Sequence, residues 1–245
     1  MLAQLVLSIA VLGLCWQAGV VLLAPPAFML PAPVDVASAF VTYGGRILAE
    51  TGVTLVETAL GLLAGVGFGL ATGLAVSVSP LAGRVISPLL VASQSLPVFA
   101  LAPLLVLWFG FGLASKVAMT TLVIYFPVAS AFADGLARTE PGLIDLARLA
   151  KAGPLATLRL IRIPAALPSL VTGIRVAAVY APIGAIIGEW VGASHGLGLL
   201  MVQANARMQS ALLFAALMVL ALATLALKIV VDRLTARLIP WVEAP

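Results

Sequence analysis

The chain has 245 residues, 63% of them hydrophobic and only 9% charged, with a net charge of +4 and a mean hydropathy of +1.21. A soluble domain carries about 25% charged residues, so this chain cannot cover a folded surface in water. That excludes water-soluble globular domains, disordered tails and small disulfide scaffolds. A pI near 9.7 on so apolar a chain is read as a signal of membrane topology, not as a footprint for nucleic acid.

A membrane-spanning helix needs about 20 mostly apolar residues, and six runs qualify approximately: 2–24, 58–78, 85–109, 117–133, 169–191 and 212–231. The first run has no charged side chain before Asp35 and no basic leader, and it is long for a signal-peptide core. It is expected as an uncleaved span, followed by an extracytoplasmic connection over 25–52 and a core over 53–245. Cys15, the lone cysteine, is expected to be an inert buried thiol without an internal partner.

The second run carries Gly61, Gly65, Gly69 and Gly73, each four residues from the last. On a helix they form one smooth stripe that lets a second backbone come close. In the third run Ser93, Gln94, Ser95 and Pro97 make a polar, kink-prone cluster. Freed backbone groups at membrane depth are tolerated where protein or a cavity supplies partners, so Ser93, Gln94 and Pro97 are candidates for lining a translocation path. Helix bending without substrate contact is the alternative. Tyr180 beside Pro182 repeats the combination in the fifth run.

The one long polar segment is 135–168. Leu143, Ile144, Ala147 and Ala150 fall on one helical face, with Asp145, Arg148 and Lys151 on the other. After Gly153-Pro154 a second short pattern places Leu155, Leu158 and Ile161 against Arg159 and Arg162. Two short amphipathic helices joined by a bend are expected there, able to dock on a partner or on lipid headgroups. Arg175, about two turns into the fifth run, either snorkels to the interface or pairs inside the bundle. Glu57 and Glu189 lie near the ends of their runs, and spacing gives no reason to bring them together. Glu189 beside Trp190 is a candidate gate at the outer mouth. His195, the only histidine, falls in an outside loop, so no multi-histidine metal site is expected, and no catalytic residues are identified.

Six spans place both termini on one side. If that side is the cytoplasm, nine basic residues fall inside, and Arg46, Lys116 and Arg207 fall outside, with Arg175 within a span.

The run Asp145-Leu146-Ala147, then Gly153, then Ile163-Pro164-Ala165-Ala166-Leu167-Pro168 resembles the EAA loop of binding-protein-dependent ABC importer permeases. Counted back from Pro164, Asp145 replaces the family's Glu and Leu146 its first Ala, and Lys151 stands where the family usually has Gly. Leu30-Pro31-Ala32-Pro33, Leu107-Trp108-Phe109-Gly110 with Ser115-Lys116, Gly188-Glu189-Trp190 and Gly196-Leu197-Gly198 are similar to the nitrate/sulfonate/taurine-type branch. Asn205-Ala206-Arg207-Met208-Gln209 resembles members that carry hydroxymethylpyrimidine-type thiamine precursors.

The resemblance implies an all-α, polytopic fold of the type I ABC importer (MetI-like) kind in the inner (plasma) membrane. It implies a permease homodimer with two ATPase subunits and an extracytoplasmic solute-binding protein. Asp145, Ala147, Arg148, Lys151, Gly153, Arg159 and Pro164 would then couple to the ATPase, through a segment at 143–163. ATP and Mg would sit on that partner, since this chain has no G-x-x-x-x-G-K-[ST] loop and is expected to hold no cofactor itself. The rival reading is an ion-coupled secondary transporter that works without an ATPase.

Overall fold

A computed structural model describes residues 2–241, all helix and connection. The helices are α1 (Leu2–Leu23), α2 (Pro33–Val78), α3 (Pro80–Ser95), α4 (Val98–Phe109), α5 (Leu113–Ala137) and α6 (Pro141–Leu149). They continue with α7 (Pro154–Thr157), a π-turn (Leu158–Arg162), α8 (Ile163–Gly192), α9 (Leu197–Ala206) and α10 (Ser210–Ala236). Proline opens α2, α3, α6, α7 and α8 within the first two positions. There its missing N–H is no loss and its fixed φ suits the helix. Ser79 ends α2 in an extended conformation and caps α3, its hydroxyl accepting from the Ala82 N–H at 3.2 Å. The residue before a proline avoids the helical region, so Pro80 sets that break.

Among the described residues four helices are long and apolar enough to cross a membrane. The α3–α4 pair makes a fifth candidate only as a bent unit, turned by 103° at the break. The expected straight span 85–109 is therefore replaced by two pieces. Leu96 and Pro97 take extended conformations between them, and Pro97, with no N–H to donate, starts the second piece instead of continuing the first. The first expected span is helical over Leu2–Leu23, but most side chains before Gly13 lie outside the described residues. Cys15 is exposed on it, contrary to the expected buried thiol.

The second span is far longer than its apolar run. Helix α2 has 46 residues, about 69 Å at 1.5 Å per residue, against a hydrocarbon core of about 30 Å. Most of the expected connection 25–52 is thus its first half. Asp35 accepts the Ala32 N–H at 3.2 Å to start it, and Val36, Ala39 and Ile47 are buried against α9 and α10.

Helix α5 is the centre, packed along α2 on one side and α8 on the other. The stripe Gly61, Gly65, Gly69 and Gly73 faces α5 and is buried. A Cβ at Gly61 would overlap the Thr120 side chain, and one at Gly65 would lie 2.5 Å from Ile124 Cγ1. At Gly69 the obstacle is Val128 Cβ at 2.7 Å, and at Gly73 the Ala129 carbonyl at 2.9 Å. Helix α8 brings a second seam: a Cβ at Gly184 would lie 2.7 Å from Thr120 Cα, and one at Gly173 2.7 Å from Ala131 Cβ. Thr120 is therefore held between Gly61 and Gly184. Helix α10 closes the other side of α2 and α8.

Overpacking a tight core costs about 1–3 kcal/mol, so Gly65→Ala is expected to lower the unfolding temperature in detergent. The obstructing atoms belong to the Ile124 side chain beyond Cβ, so Gly65→Ala added to Ile124→Ala should cost almost nothing more than Ile124→Ala alone. Full additivity in that double-mutant cycle would contradict the contact.

Candidate functional site

The polar segment after α5 folds into α6 and the head of α8. Of the α6 side chains, Ala147 is buried, while Leu146 and Leu149 are 60% and 82% exposed. Asp145 and Arg148 form an exposed pair at 3.0 Å. Of the expected apolar face, Ala147 and in part Ile144 turn inward, while Leu143 and Ala150 are exposed, and Leu146 and Leu149 are presented outward with the charges. The expected second short helix is not separate. It is the first turns of one continuous helix from Pro154 to Gly192, carrying a π-turn at Leu158–Arg162. Arg159 is exposed, Pro164 is half-buried, and Arg162 donates to the Leu136 carbonyl at 3.1 Å, tying this helix to the end of α5. A groove of about 340 Å³ runs between them, lined by Leu136, Ile144, Arg148, Ala152, Pro154 and Arg162.

Lys151 takes a left-handed conformation, φ +54°. Its N–H donates to the Arg148 carbonyl at 2.9 Å, and the Ala152 N–H donates to the Ala147 carbonyl at 2.9 Å. Those two bonds are a Schellman cap with Lys151 in the place that glycine ordinarily fills. Gly153 is extended, φ −69° and ψ 164°, and caps the next helix. The left-handed position of the cap is therefore Lys151, not Gly153.

At the end of the bundle remote from α6, charged groups meet that spacing did not unite. Glu57 on α2 and Glu189 on α8 are both buried and lie within electrostatic reach of each other. Glu189 accepts from the Thr54 hydroxyl at 2.6 Å and from the Gly198 N–H at 2.5 Å. Glu50 accepts the Gly196 N–H at 2.6 Å, and Thr54 the Leu197 N–H at 2.8 Å. Three successive N–H groups at the start of α9, which no intrahelical carbonyl can reach, are thus satisfied by side chains from α2 and α8. Gly196 sits at φ +115°, and a Cβ there would run into the Glu189 carboxyl.

Lys116, expected in an outside loop, is buried in the first turn of α5 within electrostatic reach of Glu57 and Glu189. It donates to the Phe111 carbonyl at 2.6 Å and to the Gly192 carbonyl at the end of α8. Glu189 is wholly inaccessible, so it fastens helices and does not line an open path. His195 is exposed, its Nδ1 3.8 Å from Glu50.

Midway along α5, the Tyr125 hydroxyl lies 2.9 Å from Ser93 on α3, beside the break at Pro97. The Gln94 side chain lies outside the described residues. Tyr180 is half exposed on α8, and Phe99 stacks on Trp190 with ring centroids 6.4 Å apart. Arg175 pairs within the bundle: its Nε lies 3.3 Å from Asp232 Oδ1 and 3.2 Å from the Thr235 hydroxyl, both on α10. Thr54, Lys116, Tyr125 and Asp232 were not singled out as site residues in the sequence. Apart from Lys228, four residues before Asp232, their partners lie far along the chain or are backbone groups, and only Lys116 in a family-like Ser-Lys pair gave any signal.

A buried donor stripped of its acceptor costs about 1–3 kcal/mol. Glu189→Ala strands the Gly198 N–H and should destabilise the protein by at least that much in thermal unfolding. Glu189→Gln keeps a carbonyl acceptor and is expected to recover most of the loss. At the other end, Lys151→Gly removes a left-handed penalty of about 1–2 kcal/mol and should slow amide exchange at Ala152.

Residues 65–244 match the family described as binding-protein-dependent transport system inner membrane component. The chain is 48% identical over 233 residues to the "Probable ABC transporter permease protein" of Haemophilus influenzae, covering 95% of each. It is 32% identical to the formylaminopyrimidine transport permease protein ThiX of Halalkalibacterium halodurans, covering 92% of this chain and 90% of that one. In fold it is similar to the solved MetNI methionine ABC transporter in inward facing conformations. The TM-score is 0.71 at 21% identity, over 80% of this chain and 98% of that one. The glycine-seamed helices, the α6 elbow and these matches together establish that the chain belongs to the binding-protein-dependent inner membrane components, the permease subunits of ABC importers.

Proposed function

We propose that this permease works as a homodimer on two ATPase subunits, with α6 and the head of α8 as the coupling surface and both termini in the cytoplasm. ATP and Mg belong to the ATPase, and the permease catalyses no reaction of its own. An extracytoplasmic solute-binding protein delivers a small organic solute of the thiamine-precursor pyrimidine, sulfonate, taurine or nitrate-like class. The observation that carries this reading is α6 itself. A short helix bears two exposed leucines and an exposed ion pair outside the apolar spans, which is the composition of a docking helix. The orientation follows from nine basic residues on the α6 side of the bundle. With Lys116 buried in the bundle, only Arg46 and Arg207 remain for the other side.

The coupling residues are Asp145, Ala147, Arg148, Lys151, Gly153, Arg159 and Pro164. Ala147 and Pro164 shape the surface and the charged residues contact the partner. Ser93, Gln94, Pro97 and Tyr180, joined by Tyr125, are the candidates for the solute path. Glu189 leaves that set because it is buried among α2, α5 and α9.

The test is charge reversal in the assembled transporter. Arg148→Glu with Lys151→Glu should lower binding-protein-stimulated ATP hydrolysis in proteoliposomes about tenfold, the loss of a docking contact of ~1.4 kcal/mol. Unchanged stimulation would remove α6 from the interface. The path is tested separately by uptake: Ser93→Ala with Tyr125→Phe should lower solute import at normal expression and leave basal ATP hydrolysis intact. Transport by the permease alone in liposomes with an ion gradient would instead support the secondary-transporter reading.

A further inference from the structure

We propose that the groove between α8 and α10 binds one anionic phospholipid, its acyl chain along the groove and its phosphate at Lys228. The groove measures about 440 Å³ and is lined by Val179, Pro182, Ile183, Leu220, Leu225 and Lys228, among others. Thr224 also lines it, but its hydroxyl donates to the Leu220 carbonyl at 2.8 Å. Lys228 is thus the one charged group at an otherwise hydrocarbon wall. From Leu217 to Lys228 the lining follows α10 for about 16 Å, the reach of a dozen or so methylenes.

The charge at the lower end is unbalanced. Lys228 Nζ lies 2.5 Å from Asp232 Oδ2, and Arg175 lies 3.3 Å from Asp232 Oδ1. One carboxylate faces two cations, both partly exposed, which leaves one unit of positive charge. Depth fits a headgroup. Helix α10 carries no charge from Ser210 through Leu227, and Lys228 is its first ionic side chain, followed by Asp232 and Arg233. The uncharged stretch spans about 27 Å, close to the hydrocarbon thickness of about 30 Å, so Lys228 marks the boundary where phosphates lie. A cation there adds about 1 kcal/mol toward an anionic lipid, while a zwitterionic headgroup offers no net charge to receive it.

The test uses the permease–ATPase complex in mild detergent, given phosphatidylglycerol or phosphatidylcholine with the same acyl chains. Native mass spectrometry should show phosphatidylglycerol retained about five-fold over phosphatidylcholine, the equivalent of ~1 kcal/mol. Lys228→Gln should bring the two lipids to parity, and Lys228→Arg should keep the preference. Ala221→Phe, which fills the groove, should lower retention of both. Undiminished phosphatidylglycerol preference in Lys228→Gln would overturn the proposal. So would equal thermal protection by glycerol phosphate without acyl chains, which would mark a bare anion subsite. If Ala221→Cys in a Cys15→Ser background cross-linked two permease chains, the groove would be a subunit interface and the proposal would fail.

Discussion

Everything in this permease is arranged around the closeness of α5 to its two neighbours. In a bilayer, lipid tails are as apolar as leucine, so no hydrophobic gain drives helices together, and close packing has to supply the attraction. Four glycines of α2 and others of α8 let both backbones approach α5 until Thr120 is held from two sides. Dispersion falls steeply with small gaps, so a seam this tight has one register. Prolines at five helix starts then fix where each chain segment turns. The span pair α3–α4 is the exception, with a proline break at membrane depth, and it carries the polar side chains Ser93 and Ser95.

The two ends of the seam are finished differently. Remote from α6, Glu50, Thr54 and Glu189 satisfy the first N–H groups of α9, and Lys116 joins the start of α5 to the end of α8. Buried polar networks of this kind hold their members in one arrangement because any displacement leaves a group bare. At the other end Arg175 still ties α8 to Asp232 and Thr235 of α10, but α6 itself is held more lightly, by the buried Ala147 and a Schellman cap formed by a lysine, beside Arg162 on the Leu136 carbonyl. The fold is therefore stiff along the seam and at the far end, and more loosely held at α6.

The parts legible in the sequence are those written at fixed local spacing. The glycine stripe follows from a four-residue period, and the short helix α6 and the bend after it follow from Pro141, Gly153-Pro154 and the spacing between them. The charged knot was not legible, because Glu57 and Glu189 are 132 positions apart and their meeting depends on the depth at which α2 and α8 cross. Arg175 left two readings open for the same reason: its partner Asp232 lies on α10, 57 positions away. The length of α2 was hidden by Asp35, Arg46 and Glu50, which end the apolar run without ending the helix. Lys151 concealed the helix end, since glycine is the usual sign of a left-handed cap and the nearby Gly153 drew that role.

This distribution of stiffness bears on how a partner's ATP cycle reaches the membrane. A packed seam does not deform continuously; it moves as a body or re-registers. Re-registering α5 against α2 would move Ile124 and Val128 off Gly65 and Gly69, where only the missing Cβ leaves them room, and the remote knot would have to open at the same time. Movement of α2, α5, α8 and α9 as one body costs none of those contacts. The compliant points left over are the turn at Arg138–Glu140, the capped elbow at Lys151 and the break at Leu96-Pro97. A force applied at α6 passes through Arg162 and the Leu136 carbonyl into that body, while the break beside Ser93 and Tyr125 is where the body's edge can change shape.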